Sequence, residues 1–265
     1  MRTLCGHIAV SSVALLALVS EPARAADYTR EQVAGLLAAL PVGQHANFAD
    51  RSLAGLDLNR LDFTSANMRG ADLSGANLYS SKFEGASLVG ANLSGANMAI
   101  MNVIRADFTD ANLSGAQMFG LVTSSGMETS KLEAPIMVRA NFTGARLVSR
   151  LGYADLRGAN LTRARLSADL KNQSMGLMRA EFPSANLAGA NLEGAEMGSA
   201  LLRFTDLSGA NLAGTFLYRA DFIGANLSGA DLTGADATEA NFEAARIADA
   251  RGLGTVKGLD RSKAR

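Results

Sequence analysis

Ala66-Asn-Met-Arg-Gly-Ala-Asp-Leu-Ser-Gly-Ala-Asn-Leu78 writes one five-residue unit, Ala-(Asp/Asn)-(Leu/Met/Phe)-x-Gly, more than twice in succession. The unit returns at Ala91-Asn-Leu-Ser-Gly-Ala-Asn-Met98, Ala185-Asn-Leu-Ala-Gly-Ala-Asn-Leu192 and Ala225-Asn-Leu-Ser-Gly-Ala-Asp-Leu232. Ala and the central Leu alternate inward, as on a very short strand. Asp/Asn and Gly are turn formers, so the chain bends every five residues. A chain that bends regularly and buries one edge closes into a coil, and stacked coils make a solenoid.

Taking the apolar centre as marker, the pentads run from Phe48 through Leu53, Leu58 and Phe63 to Leu113 and Met118 without a slip. Like residues recur at a longer interval: Phe182, Leu202, Phe222 and Phe242 stand four pentads apart, and so do Phe63 and Phe83. Four pentads per coil imply a square cross-section. Past Met118 the register continues only if shorter steps are allowed. One such step leads to Val122, followed by Met127, Leu132, Met137, Phe142 and Leu147. A second leads to Leu151, Leu156, Leu161 and Leu166, and a third to Leu170, with an insertion before Leu177 and Phe182. Slips are therefore expected near 119–122, 148–151 and 167–181. Residues 119–139 read either as degenerate coils or as a projecting loop; the persisting apolar centres favour coils, with Pro135 at an edge or corner where its missing donor does no harm.

The ends differ from the middle. Arg2 and His7 flank a short polar start, Ile8–Val19 is apolar, and Ala23-Arg-Ala25 is a small-x-small site. Residues 1–25 thus read as a secretory signal cut before Ala26, placing the mature chain in the periplasm or outside the cell. The apolar run is short for a membrane anchor. The one cysteine, Cys5, leaves with the signal, so the mature chain has no disulfide, thiolate metal site or cysteine nucleophile. Within 26–45, Val33, Leu36, Leu37 and Leu40 share a helical face, Thr29-x-x-Gln32 forms a capping box, and Pro41 ends the segment. This short α-helix is expected to lid the first coil. A membrane-surface role would need a basic polar face, which Arg30 alone does not provide. Residues 251–265 form a basic tail in which Leu253, Val256 and Leu259 cover the last coil.

The tandem motif is similar to the pentapeptide repeat family over about residues 46–250. That resemblance implies an all-β fold, a right-handed quadrilateral β-helix solenoid, with a central Leu or Phe and the small residue two before it pointing inward. Here those are Leu73 with Ala71, Leu93 with Ala91, Leu187 with Ala185 and Leu227 with Ala225. About ten coils at a strand spacing of roughly 4.8 Å make a rod of roughly 48 Å.

No catalytic constellation appears. His45 is the one histidine of the mature chain, with no second His or Cys beside it. Asp72, Asp107, Asp155, Asp221 and Asp231 sit at the turn position, where Asn serves equally well. Ser74, Ser94, Ser114, Ser208 and Ser228 point outward with no base nearby, and Gly falls at pentad spacing rather than in a phosphate loop. No enzyme activity, cofactor, metal or small-molecule substrate is expected.

The formal net charge is +0, which argues against a strongly basic nucleic-acid binder and against an acidic mimic of nucleic acid. One stretch departs from that balance. Between residues 139 and 179, Arg139, Arg146, Arg150, Arg157, Arg163, Arg165, Lys171 and Arg179 meet only Asp155 and Asp169; eight less two is +6. These side chains either spread around the rod or form a mid-rod basic band for an anionic partner, with Met175, Leu177 and Met178 adding apolar contact. The expected function is a non-enzymatic exported scaffold or protein-interaction module. The partner is another protein or an anionic envelope component, with no transmembrane span in the mature chain. The alternative, drawn from the resemblance, is a DNA-mimic-type inhibitor or modulator of a type II topoisomerase.

Overall fold

The computed structural model describes residues 25–126, 129–167 and 179–260. It opens with helix α1, Arg30–Ala38. Thr29 caps it: the Gln32 amide donates to Thr29 Oγ1 at 3.3 Å and the Thr29 amide to Gln32 Oε1 at 2.8 Å, so two of the helix's orphan donors are satisfied reciprocally. Val33 is fully buried and Tyr28 meets Phe48 edge-on at 5.7 Å, so α1 closes the apolar end of the first coil. The polar end is closed as well. The Asp27 amide donates to Ser52 O, the Ser52 amide to Asp27 Oδ2, and the Arg30 guanidinium to the carbonyls of Asp57 and Asn59. These bonds occupy groups that would otherwise be a bare sheet edge. Leu36, expected on the buried face with Val33, is 48% exposed.

From Asn47 onward the backbone repeats one arrangement, seen clearly at Asn92–Ala96. The Asn92 amide donates to Ala71 O in the coil before (2.9 Å), and the Leu93 amide to Asn112 O in the coil after (2.7 Å). The Gly95 amide donates to Ser114 O (2.8 Å) and the Ala96 amide back to Leu93 O (3.1 Å). The remaining donor, the Ser94 amide, is taken by Asn92 Oδ1 at 3.2 Å. All five amides of the pentad are thus paired, four with backbone and one with the Asx side chain. That is why Asp and Asn exchange freely here: Ser74 donates to Asp72 Oδ1 in the same way, at 3.0 Å.

Parallel bridges join positions four pentads apart from Asn47↔Asn67 to Asn102↔Val122, and again from Glu181↔Leu201 to Asn226↔Arg246. The central side chains and the alanines two before them fill the interior and are essentially inaccessible. Phe222 and Phe242 stack at 4.8 Å with their planes 7° apart, and Phe63 and Phe83 lie at the same 4.8 Å. This is the layer spacing of a sheet, so side chains one coil apart share one dry column.

The register departs from expectation after Met118. Val122 bridges Asn102 and Thr123 is 5% exposed, so a full five-residue step separates Met118 from Thr123 and the shorter step to Val122 is absent. The chain then leaves the coil. Bridges Asp107↔Ile136 and Asn112↔Asn141 reach past the next four pentads, and Leu132 is 85% exposed. The preference for degenerate coils over 119–139 is therefore corrected: a projecting segment begins after Thr123 and returns at Glu133, whose carbonyl accepts the Arg105 amide at 2.8 Å. Leu132 has apolar spacing and a small residue, Ser130, two before it, but Lys131 stands where the Asx that pairs the next amide should be. The Glu133 carboxylate ties the segment's ends together by accepting from Ser124 Oγ at 2.9 Å and from the Ser125 amide at 3.2 Å. Pro135 starts the next coil in the small inward position and is buried there.

Strand β1, Gln117–Phe119, pairs in parallel with β2, Arg146–Val148. Beyond β2 the coil loses one residue, as bridges Ile136↔Asp155 and Arg146↔Arg165 record. Ser149 fills the tightened corner: its Oγ accepts the Leu121 amide and donates to Met118 O, both at 3.1 Å. Bridges Arg150↔Glu181 through Arg165↔Glu196 then reach across a second insertion. Leu170 and Leu177, the centres expected within that span, lie outside the described residues. At the far end, the partly buried Leu253, Val256 and Leu259 pack on the last apolar layer.

Candidate functional site

The outward side chains are set by the bridges, which arrange them in rows along the rod. One row, Asp72, Asn92, Asn112, Asn141 and Asn160, is a continuous amide ladder, each Nδ2 donating to the Oδ1 before it at 3.1 to 3.3 Å. Its oxygens also hold the turns, so this row is committed to structure. Asp57, Asp62, Asp107, Asp155, Asp206, Asp221, Asp231 and Asp236 accept a turn amide in the same way, and Asp110 holds Arg139. Lys257 (2.8 Å) and Thr238 together hold the Asp236 carboxyl down at about 2. Among the described residues no group of three or more His, Cys, Asp or Glu side chains is placed to hold a metal ion.

The seven described basic residues of the predicted band do not converge on one side. Arg139 stands above Asp110 and grips it with Nε at 2.7 Å and Nη2 at 2.6 Å, which lowers the Asp110 carboxyl below its ordinary range. Arg157 pairs with Asp155 in its own pentad, and the guanidinium lowers that carboxyl too. Arg150 and Arg179 flank Glu181 from 3.3 and 3.6 Å. Arg146 lays its guanidinium 4.5 Å from the centre of the Phe119 ring. Arg165 is the bridge partner of Arg146 in the next layer, and Arg163 is exposed two residues before it. The structure thus brings Arg146, Arg163 and Arg165 to neighbouring positions, with Glu196 the bridge partner of Arg165 in the following layer, and pairs Arg139, Arg150, Arg157 and Arg179 with carboxylates. Lys171, Met175, Leu177 and Met178 lie outside the described residues.

A second surface was not singled out in the sequence. Tyr153 and Phe204 are 43% and 64% exposed, and both occupy the turn position with positive φ, 60° and 56°. With Lys131, Asp155, Arg157, Asn186 and Asp206 they line an open cleft of about 510 Å³. Lys131 comes from the projecting segment, which leans over this side: a β-carbon on Gly152 would meet Thr129 Oγ1 at 2.5 Å. The available signal was an aromatic residue where the repeat calls for Gly, twice; its convergence is hidden by the long stretch of sequence between the two.

A family model for pentapeptide repeats matches the chain in eight copies, over residues 44–79, 86–120, 136–168, 180–217 and 217–251. The chain belongs to the pentapeptide repeat family. The matched stretches stop where the bridges lengthen, at the projecting segment and ahead of Arg179. Its fold is accordingly a right-handed β-helix solenoid, and the molecule is a pentapeptide repeat scaffold, a class that is generally structural or interaction-mediating. No curated protein matches the chain. Among solved structures it is similar to HetL, a pentapeptide repeat protein involved in heterocyst differentiation regulation from the cyanobacterium Nostoc sp. strain PCC 7120. Identity there is 27%, covering 89% of this chain and 92% of that one, with a TM-score of 0.35. It is also similar to full-length QnrB1, a plasmid-mediated fluoroquinolone resistance protein, at 19% identity, covering 84% and 90%, with a TM-score of 0.44. Among the described residues no helix is long and apolar enough to cross a membrane.

Proposed function

We propose that this pentapeptide repeat scaffold is an exported, non-enzymatic interaction module that binds an anionic partner, protein or envelope component, at its mid-rod basic residues. The observation that carries the reading is the bridge between Arg146 and Arg165, with Arg163 exposed beside them. Glu196 bridges Arg165 on its far side and leaves two guanidinium groups to one carboxylate along this row. Like charges on adjacent strands repel, and a further carboxylate or phosphate held by a guanidinium fork offsets that repulsion. The apolar run Ile8–Val19 and the small-x-small site at Ala23–Ala25 support export. The recurrence of bridged positions every four pentads supports a four-sided cross-section, and about ten layers at roughly 4.8 Å would make each side long enough for a partner to dock along it.

The test is crosslinking of the tagged protein in its native host after fractionation, beside a variant carrying Arg146→Glu, Arg163→Glu and Arg165→Glu. The proposal predicts the mature chain in the envelope fraction and a crosslinked partner lost in the variant. A cytoplasmic chain, or a partner retained by the variant, would overturn it. The topoisomerase alternative finds no acidic excess to stand on, since the net charge is +0. The mature protein is expected to leave supercoiling by a type II topoisomerase unchanged.

A further inference from the structure

The cleft between Tyr153 and Phe204 is unexplained by the scaffold. A left-handed turn residue is strained when it carries a bulky side chain, and glycine serves it without cost. Here two aromatic residues hold that conformation and still expose their rings. Phe204 is also seated: a β-carbon on Gly224, the corresponding turn in the next coil, would lie 2.6 Å from its ring. Strain kept at a surface cleft, on rings left largely open to solvent, points to binding.

The polar lining narrows the ligand. Asp155 and Asp206 balance Arg157 and Lys131, so the cleft carries no net formal charge. Asp206 uses one carboxylate oxygen on the Ser208 amide and the Asn226 side chain, leaving Oδ2 without a partner among the described residues. Asn186 uses Oδ1 on the Ala188 amide, and its Nδ2 likewise has no described partner. The cleft therefore offers donors and acceptors together, beside two apolar faces. Tyr153 and Phe204 are two layers apart, with Ser184 between, which is about 9.6 Å along the rod. That interval suits two rings of an extended oligosaccharide, whose C–H faces lie on aromatic rings while its hydroxyls take mixed hydrogen bonds.

We infer that this cleft binds a neutral, extended glycan, with Tyr153 and Phe204 as stacking platforms and Asn186, Asp206 and Lys131 as hydroxyl partners. The inference uses none of the Arg146, Arg163 and Arg165 cluster and stands or falls apart from the exported-partner proposal. Calorimetric titration of the purified full chain with cellohexaose and with chitohexaose tests it, beside a proline-rich decapeptide as the competing ligand class. One of the two sugars is expected to bind, and Tyr153→Gly and Phe204→Gly are each expected to weaken it by at least about tenfold. Both variants should melt no lower than the parent, since glycine relieves the turn. Phe216→Ala, an exposed ring elsewhere, should bind as the parent does. Absence of binding by both sugars at millimolar concentration, undiminished binding in the glycine variants, or binding of the decapeptide lost in those variants would each overturn the inference.

Discussion

Asn112 shows what one residue does in this fold. Its Oδ1 accepts the Ser114 amide at 3.2 Å and Asn141 Nδ2 at 3.2 Å, and its own Nδ2 reaches Asn92 at 3.1 Å. Asn112→Ala strips a partly buried amide and its ladder neighbours of partners and is expected to cost about 1–3 kcal/mol. Asn112→Asp keeps the acceptor and should cost less; urea melts of the two variants compare them. Ile100 makes the opposite case. It is β-branched, 46% exposed and held at φ 58°. Ile100→Gly removes a left-handed penalty of about 1–2 kcal/mol, less the entropy glycine adds to the unfolded chain, so the melting temperature should rise. A fall in that temperature would show that its packing outweighs the strain.

At the scale of the element, the projecting segment is separable from the rod. Removing residues 125–133 joins Ser124 to Ala134, and Met137 then follows Thr123 at one pentad. The Arg105 amide regains a carbonyl at Ser124, equivalent to the one it finds elsewhere in the repeat. With Ala134→Gly supplying the left-handed turn, the deletion variant is expected to keep its far-ultraviolet circular dichroism and its cooperative melt. Loss of folding would mean that 124–134 are part of the coil after all. The same segment marks where the sequence stopped being legible. Pentads were readable because three constraints coincide in each: a small inward residue, an Asx that pairs an amide, and a residue tolerant of positive φ. At Leu132 the apolar spacing and a small residue, Ser130, survive, but Lys131 replaces the Asx that would pair an amide and close the turn. Helix α1 was legible through its capping box, whereas the exposure of Leu36 depends on how α1 tilts onto Phe48. The basic residues were legible as a charge excess, but which become neighbours depends on layer register. One deleted residue near Ser149, with the longer bridges beyond it, decides that. The aromatic cleft was illegible for the same reason.

Over the whole molecule the carboxylates act together. Asp57, Asp62, Asp110, Asp155, Asp231 and Asp236 are all held below their ordinary values, by turn hydrogen bonds and by cations. Their folded pKa lies under the unfolded value of about 3.9, so the stability they contribute is full above about pH 4 and lost as pH falls toward the value of about 2 held by Asp236. Thermal melts should change little from neutral pH to about 5 and drop steeply below about 4. A flat profile down to about pH 2.5 would show that these bonds contribute nothing net.

The central claim is that residues a coil apart in sequence are one sheet spacing apart in space, with the layers on either side of both long interruptions bridged directly to each other. Pulsed electron–electron resonance between spin labels at Ser74→Cys and Ala213→Cys, in a Cys5→Ser background, measures it directly. Both sites follow a central residue in the amide-ladder row and are separated by six layers. The account predicts a narrow distribution centred at about 29 Å, six sheet spacings. A centre at about 34 Å, as an additional coil would give, or a broad distribution without a peak, would contradict it.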